Sequence, residues 1–248
     1  MRTNAAAGAV VAGRSPALAT LPQADRPAET GRKLKLIVTG GHPGDPEYGC
    51  GGTIARYTDL GHEAVLLYLN RGEWPPRDAG VSRVEEARKA CEILKARPLY
   101  AGQFNSQAVV DKPHYEAFQK ILEAERPDVV FTHWPIDNHA DHRAISMLTY
   151  DAWLKMKKSF ALYYYEVSNG EDTLQFAPTH YIDITDTEPQ KRRACYAHAS
   201  QTPGKYYSLQ DQVMRMRGLE SGHRLAEGYI RHVQSPDFAL LPAARASS

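Results

Sequence analysis

The sequence predicts an α/β fold in which a mostly parallel sheet carries helices on both faces. Short segments rich in Val, Ile and Leu alternate with segments of helical length between residues 34 and 155. Strands that alternate with helices form parallel sheets, because each connecting helix must cross back over the sheet. The 248 residues suit one such domain, and neither an internal repeat nor an interdomain linker interrupts the pattern.

The elements of this Rossmann-like arrangement follow in order along the chain. The first strand, 34–39, is a β-branched run that ends at Gly40 and Gly41. The second strand, 62–70, is continuously apolar, as expected of a strand that is buried on both faces. Further strands are predicted at 98–101 and 128–132, and helices at 51–60, 82–95, 114–125 and 143–155.

The last third of the chain has a less regular pattern. Strands are predicted at 160–167 and 179–184, and helices at 188–200, 209–218 and 221–229.

The first 30 residues differ in composition from the rest. They are rich in Ala, Gly and Pro and show neither the helical nor the strand period. Ala17-Leu18-Ala19 has the small-x-small pattern of a signal peptidase site. We therefore expect residues 1–30 to be either a disordered tail or the remnant of a twin-arginine-type export signal, and 31–248 to be a single domain. An export signal would make the protein periplasmic, and its absence cytoplasmic.

Composition excludes several classes of function. The formal net charge of +1 gives no electrostatic reason to expect nucleic acid as a partner. No apolar run is long enough to span a membrane. Cys50, Cys91 and Cys195 are too scattered for a disulfide framework or a cysteine metal site, so we expect buried thiols. The oligomeric state stays open.

Two polar segments follow two of the predicted strands. One is His42-Pro43-Gly44-Asp45-Pro46-Glu47, and the other runs from His133 to His142. In open parallel sheets, ligands bind just beyond the carboxyl ends of the strands. Imidazoles and carboxylates from two neighbouring strand ends suit a catalytic zinc site, which has three protein ligands and one position open to water.

Both segments resemble known signatures. Residues 41–53, GHPGDPEYGCGGT, are similar to the first signature of the LmbE/PIG-L deacetylases, A-H-P-D-D-(P)-E followed by G-x-G-G-T. Residues 134–143, WPIDNHADHR, resemble the second signature, which usually ends H-P-D-H-R. The segments NRGE at 70–73 and AHASQ at 197–201 are also similar to family segments. The likeness extends from about residue 34 to residue 229.

The resemblance implies a reaction and roles for particular residues. It makes His42, Asp45 and His142 the ligands of a zinc ion. It gives His139 the stabilisation of the oxyanion or the protonation of the leaving amine, and Asp141 the orientation of a histidine. Arg71 aligns with an arginine that contacts the substrate, and by the same resemblance His198 would reach the substrate pocket. The implied activity is zinc-dependent hydrolysis of an N-acetyl group on a GlcNAc-like sugar or sugar conjugate, as in the GlcNAc-PI de-N-acetylases, with release of acetate.

Gly44 is the main departure from the signature. It replaces the aspartate that the family uses as general base, and the loss of a general base costs ~10²–10⁴ in rate. Three explanations stay open. Another carboxylate, from Glu47, Asp137 or Asp141, takes over; the substrate assists; or the protein is a zinc-binding pseudoenzyme that binds sugars.

Gly49, Gly51 and Gly52 predict a tight turn and a close approach of the backbone to the site. Their spacing does not match either the G-x-G-x-x-G fingerprint or the P-loop, which excludes a nucleotide-binding loop of those types.

Overall fold

A computed structural model of the chain describes residues 32–73, 79–167, 173–238 and 240. The strands are β1 (Lys35–Gly40), β2 (Glu63–Tyr68), β3 (Arg97–Tyr100), β4 (Val129–His133), β5 (Ala161–Tyr165), β6 (His180–Asp183) and β7 (Ala226–Arg231). The helices are α1 (Asp45–Asp59), α2 (Ala79–Leu94), α3 (Lys112–Glu125), α4 (Ala140–Lys155), α5 (Glu188–Tyr196) and α6 (Pro203–Ser221), with a 3₁₀ turn at Ala199–Gln201.

The seven strands form one sheet in the order β3-β2-β1-β4-β5-β7-β6. Strands β1 to β5 pair in parallel, whereas β7 is antiparallel to both β5 and β6. The predicted α/β class with a mostly parallel sheet is therefore confirmed.

The central strands are buried on both faces because their alternate side chains enter two separate cores. Leu36 and Val38 of β1 pack with α1, α2, α5 and α6, while Ile37 packs on the other side with α3 and α4. Val129 and Val130 of β4 divide in the same way. A strand with both faces covered has a continuously apolar sequence, which explains why these strands were recognisable. As expected, all three cysteines are buried.

The chain reverses its direction of winding at the centre of the sheet. From β1 the sheet grows through β2 to β3 on one side, and through β4 to β5 on the other. The loops after β1 and β4 therefore leave the sheet next to each other and turn to opposite faces. Such a switch point opens a crevice at the carboxyl ends of the strands, where ligands of α/β proteins bind. Both polar segments follow these two strands.

The helix predicted at 221–229 is wrong. Gly222, with φ 76°, ends α6, and residues 226–231 form β7 between β5 and β6. Hydrogen bonds to two distant strands decide the conformation of this segment, and local periodicity does not contain that information.

The start of α1 also differs from the prediction. The helix begins at Asp45, six residues before the predicted start at Gly51. The three glycines lie within the helix, so the predicted tight turn is wrong. The backbone does approach its neighbours closely, but these are core side chains and not the metal ligands: a Cβ added to Gly49 would lie 2.2 Å from Tyr165 Cδ2, and one added to Gly52 2.6 Å from Ile184. Glycine has low helix propensity but lets α1 press against its neighbours.

The expectations for residues 1–30, a tail or an export signal, lie outside the described residues. Among the described residues, no helix combines the length and the apolar character needed to cross a membrane.

Candidate metal centre and active site

The loop after β1 folds into the first turn of α1 and brings two predicted ligands together. The backbone N–H of His42 donates to Asp45 Oδ2 over 2.7 Å, and Pro46 occupies the first helical turn, where its missing N–H costs nothing. This turn places the Asp45 carboxylate at the crevice between β1 and β4.

Three imidazoles surround one oxygen of that carboxylate. Asp45 Oδ2 lies 3.3 Å from His42 Nδ1, 3.2 Å from His142 Nε2 and 3.3 Å from His133 Nε2. His142 comes from the first turn of α4, and His133 from the last residue of β4. The structure thus brings together His42, Asp45 and His142, the three residues that the resemblance implies as metal ligands.

Hydrogen bonds assign the protons on these rings. His42 Nε2 faces two acceptors, Asp141 Oδ2 at 3.0 Å and Asn105 Oδ1 at 2.9 Å, so this nitrogen donates. His142 Nδ1 likewise donates to Asp137 Oδ1 over 3.0 Å. His42 Nδ1 and His142 Nε2 are the ring nitrogens that face Asp45 and that are left for a metal ion once their protons are displaced. A metal-binding histidine characteristically donates its other N–H to a carboxylate or carbonyl, so this donor set suits a metal ion.

His133 is a further histidine that the sequence argument did not single out. Its Nε2 accepts the Gly41 N–H over 3.1 Å, which places the ring proton on Nδ1. Nδ1 is buried and has no hydrogen-bond partner within the part of the chain that the structure describes. Two sets of ligand atoms lie within 4.8 Å of one another: His42, His139 and His142, and Asp45, His133 and His142. Because the Nε2 lone pair of His133 accepts the Gly41 N–H, it is not available to a metal ion, and the His133 ring lines the site.

Electrostatic interactions separate the pKa values of these groups. Burial would raise the pKa of Asp45, but the charge of His142 and the surrounding imidazoles hold it well below its usual range. Burial opposes protonation of His142, yet Asp45 and Asp137 raise its pKa to about 10. Burial, reinforced by His142, lowers the pKa of His133 to about 4. The metal-free site therefore contains an ionised Asp45 beside a protonated His142.

His139 and Asp141 flank the ligands at the start of α4. His139 Nδ1 accepts the Asp141 backbone N–H over 3.2 Å, which leaves Nε2 as the protonated nitrogen. Its ring packs against that of His42, with 4.6 Å between centroids. Burial lowers the pKa of His139, so the ring is neutral near pH 7. A neutral imidazole with a free N–H suits the stabilisation of a developing oxyanion.

The two oxygens of the buried Asp141 carboxylate differ in their hydrogen bonds. Oδ2 accepts hydrogen bonds from His42 Nε2, from Asn70 Nδ2 over 3.0 Å and from the Ser106 N–H over 2.8 Å. Oδ1 has no hydrogen-bond partner among the described residues. Asp141 thus contacts a histidine, as the resemblance implies, and that histidine is His42. His142 is held by Asp137.

Glu47 and Asp137, the other candidates for the general base, have both oxygens engaged. Glu47 Oε1 accepts from Tyr68 and from His198 Nε2, and Oε2 from the Gly44 N–H. Asp137 Oδ1 accepts from His142 and from the His139 N–H, and Oδ2 from Thr173.

Gly44 has φ 113° and ψ −38°, a conformation that residues with a side chain rarely adopt. A Cβ added there would lie 3.9 Å from the ring of His198. His198 is fully buried beneath this loop, where it contacts Glu47.

Two arginines lie at the same end of the sheet. The guanidinium of Arg71 lies over the ring of Tyr100, 5.8 Å from its centroid, which places its charge at the end of β3. Arg83 of α2, for which no role was predicted, donates over 2.6 Å to the carbonyl of Pro43, the residue that follows His42. Arg83 and Asn105 come from a helix and a loop without a metal-binding pattern, so only tertiary structure reveals their place at the site.

Known proteins are similar in sequence and fold to the part of the chain that contains this site. The model of the PIG-L family, GlcNAc-PI de-N-acetylase, matches residues 37–153. A diacetylchitobiose deacetylase from Thermococcus kodakarensis is 29% identical over 236 residues, which cover 85% of this chain and 87% of the relative.

Two solved structures show the fold. The N,N'-diacetylchitobiose deacetylase of Pyrococcus horikoshii, in complex with an inhibitor, has a TM-score of 0.70 at 21% identity, covering 80% of this chain and 83% of that one. The 4-carboxy-2-hydroxymuconate hydratase GalB from Pseudomonas putida has a TM-score of 0.70 at 20% identity, covering 84% of this chain and all (100%) of that one. The family model covers both polar segments and the curated relative spans most of the chain, so over residues 37–153 the chain is similar to the PIG-L family of GlcNAc-PI de-N-acetylases, and it shares the fold of the solved deacetylase.

Proposed function

We propose that the protein is a zinc-dependent hydrolase that removes an N-acetyl group from a GlcNAc-like sugar or sugar conjugate and releases acetate. The observation that carries the proposal is the convergence of His42 Nδ1 and His142 Nε2 on Asp45 Oδ2 at the switch point of the sheet. The similarity to a diacetylchitobiose deacetylase supports an N-acetylated sugar as the substrate.

His42, Asp45 and His142 would hold the zinc ion. When bound, such an ion polarises the amide carbonyl and lowers the pKa of water towards ~7. Asp137 and Asp141 accept the second ring N–H of His142 and His42 and so orient His142 Nε2 and His42 Nδ1 towards the position of the metal. Two imidazoles and one carboxylate make a three-ligand set of the kind found in catalytic zinc sites, which keep a fourth position for water or substrate.

Two residues would perform the proton transfers and charge stabilisation. His139, neutral and protonated on Nε2, would donate a hydrogen bond to the carbonyl oxygen as negative charge develops there, and the proton that the leaving amine takes up would be the one that Asp141 removes from water. Asp141 would accept the proton from the attacking water, because its Oδ1 is the oxygen without a partner, while Glu47 and Asp137 have both oxygens engaged. Arg71, at the end of β3, would contact the more distant part of the substrate.

A second candidate is a zinc-dependent sugar-binding protein without turnover. Gly44 favours it, since the usual base is missing and the backbone has a conformation that fits glycine. The hydratase GalB also shows that this fold is not confined to deacetylases.

Acetate release separates these candidates. Zinc-loaded protein, chelator-treated protein and His142→Ala would be incubated with N-acetylglucosamine, diacetylchitobiose and other N-acetylated sugars. We expect acetate from the zinc-loaded protein alone. If calorimetry detects sugar binding to the zinc-loaded protein but no acetate forms, the protein is a binding protein. Acetate release that survives both chelation and His142→Ala would refute the metal-dependent mechanism.

We also propose that 31–248 is the catalytic domain and that the Ala-, Gly- and Pro-rich residues 1–30 lie outside it, as either a disordered tail or an export signal. Fractionation of producing cells with N-terminal sequencing tests this. Uncleaved protein confined to the cytosol would rule out export.

A further inference from the structure

A compact loop after β3 reaches into the metal centre. The side-chain amide of Gln103 pairs with the backbone of Val109 in both directions: Nε2 donates to the carbonyl over 3.1 Å, and Oε1 accepts the N–H over 2.6 Å. Between them, the Gln107 N–H donates to the Phe104 carbonyl, and Ser106 has a φ of 60°. Residues 103–109 therefore form a closed loop, here called the Gln103–Val109 loop. The Gln103 side chain makes the two hydrogen bonds with Val109 that a neighbouring strand would make in a sheet.

The tip of this loop touches two residues of the site. Asn105, 6% exposed, places its Oδ1 2.9 Å from His42 Nε2. The adjacent Ser106 N–H donates to Asp141 Oδ2. The neighbouring residues Phe104, at 61%, Ser106 and Gln107 are exposed. Asn105 is therefore buried through its contact with the site residues and not within a hydrophobic core.

We infer that Asn105 is a positioning residue that fixes the ring of His42 for metal binding, an inference that rests on the proposed metal site. An imidazole can bind a metal through Nδ1 only if its proton is on Nε2, and an acceptor facing Nε2 selects that tautomer. Asp141 Oδ2 also faces Nε2 but is shared with Asn70 and Ser106 as donors. Asn105 Oδ1 faces Nε2 at 2.9 Å and has one other donor, the more distant Ser106 hydroxyl at 3.4 Å. The loop that carries Asn105 is closed by the Gln103 amide.

The test measures zinc affinity of the full chain by competition with a chromophoric chelator, beside the thermal midpoint of the metal-free protein. We expect Asn105→Ala to raise the Kd for zinc by about 10–100-fold, the usual effect of losing a partner of a metal-binding histidine. Asn105→Asp keeps an acceptor at the same position and should restore tight binding. Gln103→Ala should weaken binding in the same direction as Asn105→Ala, while Gln107→Ala, an exposed change in the same loop, should not.

The outcomes are distinct. Wild-type affinity in a folded Asn105→Ala protein overturns the inference, and so does failure of Asn105→Asp to bind zinc more tightly than Asn105→Ala. If Asn105→Ala does not fold, the comparison of Gln103→Ala with Gln107→Ala decides, and equal affinities overturn it. Wild-type protein that binds zinc but releases no acetate refutes the proposed function and leaves this inference standing. Wild-type protein that does not bind zinc refutes both.

Discussion

Gly44 occupies the position where the family signature has an aspartate, and its backbone explains more than its missing side chain. With φ 113° it lies in a region where a Cβ is strained, while the nearest side-chain atoms, in His198, are 3.9 Å from the place of that Cβ. The surroundings have space for a side chain, but the backbone conformation disfavours any residue other than glycine. An aspartate at this position would therefore strain the backbone.

Gly44→Asp should destabilise the protein by about 1–3 kcal/mol, the cost of a residue held in a sparsely populated backbone region. Gly44→Ala is the matched control, because it carries the same backbone penalty without the carboxylate. Urea unfolding of the metal-free proteins measures both. Equal losses of stability locate the cost in the backbone; an unchanged Gly44→Ala would show that φ 113° imposes no strain.

The free oxygen of Asp141 predicts the effect of removing its charge. Asp141→Asn keeps the size of the side chain, and we expect kcat/KM for acetate release to fall by about 10²–10⁴, the usual contribution of a general base. Glu47→Gln is the control, since the oxygens of Glu47 are engaged by Tyr68, His198 and Gly44. A larger loss of activity in Glu47→Gln than in Asp141→Asn, with both proteins folded and zinc-loaded, would assign the base to Glu47.

The raised pKa of His142 predicts how metal binding depends on pH. Its value of about 10, above the usual 6.5, means that the metal-free protein carries this proton at neutral pH. Zinc must displace it, so affinity should rise by about tenfold per pH unit for each proton released. Zinc titrations from pH 6 to pH 8, repeated in buffers of different ionisation enthalpy, measure the slope and the protons. A flat profile would contradict a protonated His142.

The same shift affects the stability of the metal-free protein. A histidine with a raised folded pKa stabilises the native state fully below its unfolded value of 6.5, and this contribution is lost as the pH rises towards 10. Asp45 acts in the opposite direction, because its depressed pKa contributes stability above its usual range that is lost in acid.

At the scale of the element, α1 is built to lie close to the sheet and to α5. Gly49, Gly51 and Gly52 are positions where a Cβ would overlap Tyr165, Lys191 and Ile184. This close packing fixes the start of α1, and therefore Asp45, relative to β5. The helix thus connects the packing of the core with the geometry of the metal centre.

Gly49→Ala should lower stability by at least about 1–3 kcal/mol, the cost of overpacking a tight core, because its Cβ would lie 2.2 Å from Tyr165 Cδ2. The control is Gly204→Ala near the start of α6, where the nearest atom to the Cβ is the Tyr196 hydroxyl at 4.0 Å and alanine should be neutral or slightly favourable. Thermal unfolding measures both variants. Equal stabilities would show that α1 can move away from the sheet without cost.

At the scale of the whole molecule, a buried ion pair connects helix α5 with strand β7. Lys191 of α5 and Glu227 of β7 are almost fully buried and lie 2.6 Å apart. Glu227 also accepts the N–H groups of Gly52 and Thr53 in α1. The antiparallel strand β7, late in the chain, is in this way attached to the helix that carries Asp45.

Lys191→Met should cost about 3–5 kcal/mol of stability, because it leaves the Glu227 carboxylate buried without its cation. The double variant Lys191→Met with Glu227→Gln should recover part of the loss, since no uncompensated charge is left. Arg215→Ala, which removes the exposed pair with Asp211, is the control and should have little effect. Additive effects of the two buried substitutions would contradict a direct interaction.

Local pattern was sufficient for the parallel half of the sheet. Strands β1 to β5 have apolar sequences because both faces are covered, and the helices between them have the expected periods. The two signature segments contain His42, Asp45 and His142, the predicted ligands that lie together in the structure. The structure adds that His42 and His142 come from the two sides of the β1–β4 crevice.

Local pattern failed where distant partners decide the structure. Residues 226–231 become a strand because β5 and β6 offer hydrogen bonds on both sides. Asn105 enters the site on a loop closed by Gln103. Asp137 contacts His142, and Asp141 contacts His42. None of these pairings has a sequence period or spacing of its own.

The backbone of Gly44 also bears on how this chain can evolve. A substitution that brings back the aspartate changes one side chain, but the conformation of the loop, held by the bond between the Gly44 N–H and Glu47, stays as it is. The first step back is therefore a loss in stability without a certain gain in rate, and selection acts on first steps. Substitutions around the carboxylate that is present, Asp141, are therefore more accessible to this chain than one that places an aspartate at position 44.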